Sequence, residues 1–267
     1  MTEKNTLTER QLRDLTRQVK EIVLSAGDFL AKTAISSVSQ KEGHSNFVTD
    51  MDIAVQDRLV TALAPLLPGA SYLLEESENT AALADLVWII DPIDGTRNFI
   101  CGSGMSTISV GLACEGRGIL GVVYNPFTRE LFSAASGQGA YRNDTPIHVI
   151  ERPLEDAILC AGTSPYYEEL NEKVIRTLAR LFPLCGDFRR FGSAALEICY
   201  SACGKCDGFF EYSLNPWDYT GASVIMEEAG GRITPIGGDR LDCTQKCGIL
   251  ACGNNIFDNI MEVLTTT

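Results

Sequence analysis

Residues 86–96, LVWIIDPIDGT, constrain the fold more than any other stretch of the chain. Five consecutive apolar residues, Leu86 to Ile90, read as a strand buried on both faces, because a half-solvated strand would alternate with polar residues. Such a strand needs a packing layer on each side, so the chain is expected to be a layered mixed α/β protein. The strand runs directly into Asp91-Pro92-Ile93-Asp94-Gly95-Thr96, which puts two carboxylates three residues apart at a strand end, where α/β proteins place their ligands. Pro92 is expected to end the ladder and Gly95 to permit a tight turn. A helix beginning near Gly95 would offer free N–H groups to a phosphate oxygen. Asp91 and Asp94 can share a hard cation such as Mg²⁺; read more plainly, they are two solvated aspartates capping a helix.

The 267 residues suit one large α/β domain, 1–267, with subdomains at roughly 1–150 and 151–267. Hydrophobic residues make up 45% and charged residues 21%, enough apolar surface for a large core. The formal net charge of −13 argues against nucleic-acid binding, which needs a basic face. An acidic chain can still take a phosphate when its carboxylates hold divalent cations that reverse the local sign. No apolar run reaches 18 residues and the charged N-terminus lacks a secretory core, so no membrane association and a cytoplasmic protein are expected. The ten cysteines are spread through apolar segments and read as buried small hydrophobes in a reducing compartment.

Along the chain, the spacing of Leu12, Leu15, Val19, Ile22, Val23, Ala26, Phe29 and Leu30 predicts an amphipathic helix over about 8–32, with Thr6 and Glu9 as its capping box. The polar stretch Ser36 to Asn46 leads to a second helix near Ile53 to Leu67, stopped by Pro68-Gly69. Tyr72 to Leu74 reads as a short strand before Glu75-Glu76-Ser77. Residues 106–141 read as an antiparallel meander. Strands and helices then alternate: a strand near 157–162, helices near 166–182 and 193–203, the strand GFFEY, a helix from about Trp217 capped by Gly230-Gly231, and a late strand near 248–252.

Asn215-Pro216-Trp217-Asp218 fits a helix start, with Asn215 as cap, Pro216 at the first position and Asp218 in the first turn. Asp50 and Asp52 open a helix after Val48-Thr49. Judged alone, each of these acids has a structural explanation. Their combination and order are what carry information.

Together the segments resemble the inositol monophosphatase family. WIIDPIDGTRNF, from Trp88 to Phe99, is similar to that family's first signature, and WDYTGASVIMEEAGG, from Trp217 to Gly231, to its second. VTDMD at 48–52 and EES at 75–77 fall in the expected order, and the similarity extends over most of the chain. The resemblance implies an alternating αβαβα sandwich of the inositol monophosphatase and fructose bisphosphatase type. It also implies two to three Mg²⁺ ions, held by Glu75, Asp91, the Ile93 carbonyl, Asp94 and Asp218. Asp52, Glu75 and Thr96 would be catalytic, with Asp52 and Thr96 orienting or deprotonating the attacking water. Asp94, Gly95, Thr96, Ser193, Ala194 and Glu211 would contact substrate, and Lys41 corresponds to a lysine of the family's active-site loop. A divalent cation lowers the pKa of a coordinated water, so hydrolysis near neutral pH needs no strong protein acid. Lithium inhibition and a homodimer follow from the resemblance alone.

Two departures stand out: Leu74 replaces a common glycine, and Tyr219-Thr220-Gly221 replaces small residues after Trp-Asp. Both leave the expected ligands intact and substrate identity open. The expected substrate is a small phosphorylated metabolite, first an inositol monophosphate. Fructose 1,6-bisphosphate, 3′-phosphoadenosine 5′-phosphate and histidinol phosphate are the alternatives. His44 and His148 lie outside every motif, which argues against histidine-based chemistry. Cys199, Cys203 and Cys206 have a spacing that can hold an iron–sulfur cluster, but their apolar helical setting favours packing. A non-catalytic binding protein on the same fold would have lost a metal carboxylate, and none is missing.

Overall fold

Helix α1 (Glu9–Lys32) buries Leu12, Leu15, Val19, Val23, Ala26 and Leu30 along one stripe, as its periodicity predicts. The computed structural model describes residues 7–33, 37–40, 47–80, 82–165 and 167–267. The N-cap of α1 is Thr8, and its capping box is made with Gln11: Gln11 N donates to the Thr8 hydroxyl and Thr8 N donates to Gln11 Oε1. The expected pair, Thr6 and Glu9, has the same three-residue spacing, which therefore cannot choose between the two. Thr6, His44 and Lys41 lie outside the described residues.

A short antiparallel pair follows, β1 (Val38–Gln40) and β2 (Phe47–Thr49), and then α2 (Asp50–Leu63), which begins three residues before the expected Ile53 because Thr49 caps it. Next come β3 (Ser71–Leu74), β4 (Leu86–Asp94), the short α3 (Thr96–Cys101), β5 (Thr107–Cys114), β6 (Arg117–Asn125), β7 (Glu130–Ala135), β8 (Ala140–Arg142) and β9 (Thr145–Ile147). These strands form a seven-stranded sheet in sequential order, in which only β3 and β4 are parallel. The second half supplies β10 (Ile158–Ala161), α4 (Asn171–Leu181), β11 (Asp187–Arg189), α5 (Ala194–Ala202), β12 (Gly208–Leu214), α6 (Pro216–Glu228), β13 (Arg232–Pro235), β14 (Cys247–Cys252) and α7 (Asn254–Thr266). Its five strands are ordered β11-β10-β12-β14-β13.

The layers follow from which side chains share a core. Leu86, Trp88 and Ile90 of β4 pack with α1 and α2. Val87 and Ile89, on the opposite face, pack with α5 and α6 and, through them, with Phe209, Ile249 and Ala251 of the smaller sheet. The outer face of that sheet is covered by α7 and the end of α4 through Ile256, Phe257, Ile260 and Leu181. The order is helix, sheet, helix, sheet, helix, the αβαβα sandwich expected from the sequence. The run LVWII is apolar at every position because both of its faces are covered.

Helix α6 lies unusually close to the large sheet. A Cβ on Gly121 of β6 would stand 1.9 Å from the Gly221 carbonyl oxygen of α6, so only glycine allows this backbone-to-backbone approach. At the far end of α6, Glu228 accepts from the amides of Gly137 and Gly139, tying the helix to the β7–β8 turn. Of the ten cysteines, Cys160, Cys199, Cys206, Cys243 and Cys252 are buried, which fits the packing reading for these five, whereas Cys101 is exposed. His148 is exposed. Among the described residues no helix is long and apolar enough to cross a membrane.

Candidate active site

Strands β3 and β4 are parallel, with Leu74 paired to Ile90, so the residues that follow each pair emerge at the same sheet edge. This places Glu75 beside Asp91, close enough for its charge to raise the Asp91 carboxyl. Three residues later Asp94 joins them, although in a regular strand positions 91 and 94 point to opposite faces. The reason is a β-bulge: Asp91 pairs with Ser109 and Asp94 with Thr107, so three steps on β4 oppose two on β5. Pro92 sits inside this bulge. The strand therefore continues to Asp94, and the expectation that Pro92 ends the ladder is corrected, because a bulge tolerates the missing donor.

Gly95 follows in the left-handed region (φ 84°) and caps α3. A side chain there would be strained and would also meet the Gly192 carbonyl at 2.9 Å. The turn aims the Thr96 hydroxyl at two oxygens, Asp52 Oδ1 at 3.2 Å and the Ile93 carbonyl at 3.1 Å. Asp52, buried in the first turn of α2, is held through its other oxygen by Thr49, whose N–H and hydroxyl donate at 2.7 and 2.6 Å. Asp52 thus reaches the site through Thr96. Asp218 arrives on the first turn of α6, where its Oδ2 accepts from Asn215 N at 2.7 Å.

Glu75, Asp91, Ile93, Asp94, Gly95, Thr96, Ser193, Ala194, Glu211 and Asp218 all line one cleft of about 560 Å³. Ser193, the N-cap of α5, donates to Asp94 Oδ2 at 2.6 Å, and Ala195 N donates to the same oxygen at 2.7 Å. Glu211 accepts from the N–H and hydroxyl of Ser164. Three further cleft residues, Asn98, Arg190 and Glu197, were not singled out from the sequence. A signal existed for Glu197, the one acid in the otherwise apolar or small helix AALEICYSA.

The electrostatics of the cleft are dominated by buried carboxylates. Burial, and then the charges of Glu75, Asp94 and Asp218, hold the Asp91 carboxyl well above the usual carboxylate range. Asp218 is raised by the same causes, burial first and then Asp94 and Glu75. Burial also lifts Asp94 to about 6, against the opposing hydrogen bonds from Ser193 and Ala195. Charges that so penalise one another are the donor set a divalent cation satisfies, all oxygen and carboxylate-rich. Among the described residues no three His, Cys, Asp or Glu side chains close into a ready-made metal cage. Mg²⁺ does not require one, since it usually keeps several waters.

Further into the cleft, burial pushes Glu211 to about 7 and Glu197 to about 8, from an ordinary 4.5. Folding raises both values, so their stabilising contribution is complete below pH 4.5 and is lost as pH climbs to about 8. The ion-free protein is accordingly expected to lose thermal stability across that window. Melting temperatures measured with chelator from pH 4.5 to 8 check this, and a flat or rising profile would contradict it.

The model of the inositol monophosphatase family matches residues 7–265. The chain belongs to that family. Nus factor SuhB of Escherichia coli K12 is 36% identical over 218 residues, covering 80% of this chain and 82% of that protein. Among solved structures, an IMPase from Thermotoga maritima superposes with a TM-score of 0.85 at 29% identity, over 95% of this chain and 97% of that one. Inositol monophosphatase from Anabaena (Nostoc) sp. PCC 7120 gives 0.83 at 29% identity, over 96% and 97%. Family membership confirms the resemblance read from the two signatures. The relative named as a Nus factor lends no support to the exclusion of a nucleic-acid partner made from net charge.

Proposed function

We propose that this member of the inositol monophosphatase family hydrolyses the phosphate monoester of a small metabolite, an inositol monophosphate or a similar polyol phosphate first. The observation that carries the reading is the set of carboxylates gathered in one cleft, Asp91, Asp94 and Asp218 with Glu75 beside them: burial raises all three aspartates, and neighbouring carboxylates raise Asp91 and Asp218 further. Glu75, Asp91, the Ile93 carbonyl, Asp94 and Asp218 would hold two to three Mg²⁺ ions. When bound, Mg²⁺ supplies Lewis acidity and a positive charge that offsets that of the phosphate.

The chain's own residues account for the rest. Thr49 fixes Asp52 by two short hydrogen bonds, and Asp52 in turn accepts from the Thr96 hydroxyl, for which the Ile93 carbonyl is an alternative acceptor. That arrangement suits Thr96 for accepting a hydrogen bond from an attacking water and Asp52 for receiving its proton through Thr96. The amides of Gly95 and Thr96, at the start of α3, would hold phosphate oxygens. Ser193, Ala194 and Glu211 contact the alcohol side, where Glu211 accepts from a substrate hydroxyl while Ser164 keeps it in place.

A second reading, a binding or regulatory factor without turnover, has one observation in its favour: a relative 36% identical carries the name Nus factor SuhB. Phosphate release from a panel of inositol, fructose, nucleotide and histidinol phosphates, with Mg²⁺ and with chelator, separates the two. Release that chelator abolishes is expected, and the rank order identifies the substrate class. A purified chain that binds Mg²⁺ yet releases phosphate from none of them would favour the second reading.

A further inference from the structure

Of two cleft residues outside the expected set, Asn98 joins the two halves of the site and Glu197 braces the joint. Asn98, on α3, places its side-chain amide 2.8 Å from the Met105 carbonyl and 2.6 Å from the Phe191 carbonyl, and donates to both. Met105 precedes β5 of the large sheet, and Phe191 precedes α5 in the second half of the chain. The N–H of Phe191 is held in turn by Glu197 Oε1 at 2.6 Å. Glu197 is only 1% exposed, so this acceptor is not exchanging with bulk water. The Phe191 ring packs edge-on against Tyr200 at 5.4 Å, which fixes the residue's third attachment.

Phe191 is followed by Gly192, in the left-handed region (φ 80°), and then by Ser193. A Cβ on Gly192 would approach the Asn98 amide nitrogen to 3.2 Å, so the turn and the Asn98 contact are mutually fitted. Ser193 is the residue whose hydroxyl donates to Asp94. One connected path therefore runs from Met105 through Asn98, Phe191 and Glu197 to the loop that carries the Asp94 donor. A carboxylate ligand is only as well placed as the groups that hold it, and loss of such support typically costs 10–100-fold in metal affinity or activity.

We infer that Asn98 and Glu197 are positioning residues: they lock the Arg190–Ser193 loop and thereby set the place of Asp94 relative to Asp91 and Asp218. The inference rests on the metal-phosphatase reading above. A purely structural role, with Glu197 merely satisfying a buried N–H, would change stability without touching the cation or the reaction.

The test uses the full chain with Glu197→Leu, Glu197→Gln and Asn98→Ala, measuring melting temperature, Mg²⁺ affinity by calorimetry with Mg²⁺ alone, and kcat and KM on the best substrate of the panel. Gln keeps the acceptor oxygen and copies the neutral form that a carboxyl raised to about 8 adopts near pH 7. Glu197→Leu and Asn98→Ala are expected to weaken Mg²⁺ binding by about tenfold and lower kcat by at least about tenfold, with KM changed much less. Glu197→Gln is expected to retain both within about threefold. Unchanged Mg²⁺ affinity and kcat in folded Leu and Ala variants would overturn the inference, as would a loss in only one of them, or a Gln variant as impaired as Leu. Should Glu197→Leu fail to fold, Asn98→Ala decides by the same readouts. Wild type that binds no Mg²⁺ would overturn the phosphatase reading and the brace with it, whereas wild type that binds while the variants match it removes the brace alone.

Discussion

Asp91→Asn is expected to cut chelator-sensitive phosphate release by on the order of 10³-fold, because removing several kcal/mol of transition-state stabilisation costs about tenfold per 1.4 kcal/mol. Asp91 is raised first by its burial and then by the charges of Glu75, Asp94 and Asp218. The same fact gives the prediction its second arm. Asn has nearly the same shape but cannot ionise, so in chelator the variant should melt at or above the temperature of wild type. The two arms are read by phosphate release and by calorimetry in chelator. A variant that keeps full turnover would remove Asp91 from the site. One that is strongly destabilised without ions would mean that its carboxylate supports the fold, contrary to the repulsion described above.

The largest structural effect is expected at a residue far from any chemistry. Gly121→Ala would drive a methyl group to 1.9 Å from the Gly221 carbonyl oxygen, a backbone atom in the middle of α6 that cannot rotate away. Overpacking of a core costs about 1–3 kcal/mol where side chains can adjust; here they cannot, so about 3 kcal/mol or more is expected. For a chain of this size that is a fall in Tm of roughly 10 °C. Gly118→Ala is the control, since its Cβ would meet a side-chain atom, Val224 Cγ2, at 2.8 Å and no backbone atom among its three nearest neighbours. It should lose clearly less. Thermal unfolding of both variants settles the comparison, and equal losses would show that α6 can shift away from the sheet.

How much of this was legible in the sequence depended on how local each feature is. The β4 run, the stripe of α1 and the Asn215-Pro216 start of α6 are written in periodicity and capping residues, and each was read correctly. Asp91, Asp94 and Asp218 were also readable, because the two signatures carry them, and Glu75 because the EES segment precedes them in the expected order. What joins them was not. No local pattern announces that a bulge around Pro92 turns Asp91 and Asp94 to one side, since the bulge is defined by the partner strand. Short edge elements such as β11 and β13 have no alternation of their own and exist through pairing with β10 and β14. Asn98 acquires a partner 93 residues away only after the halves close, and Glu197 meets Phe191, six residues earlier, through a turn that no periodicity announces. The net charge, a property of the whole surface, was the weakest guide to partners, and the exclusion drawn from it has no support from the relative named as a Nus factor.

The assembly of the cleft from distant segments has a consequence in mass action. Glu75 and Asp91 come from one sheet edge and Asp218 from the helix layer between the sheets, so the unfolded chain contains no comparable arrangement. A cation seated there binds the native state alone and adds about 2.7 kcal/mol to its stability at a free concentration 100 times the Kd. The repulsion that the folded chain carries when empty is thereby converted into a dependence of folding on the surrounding ion supply.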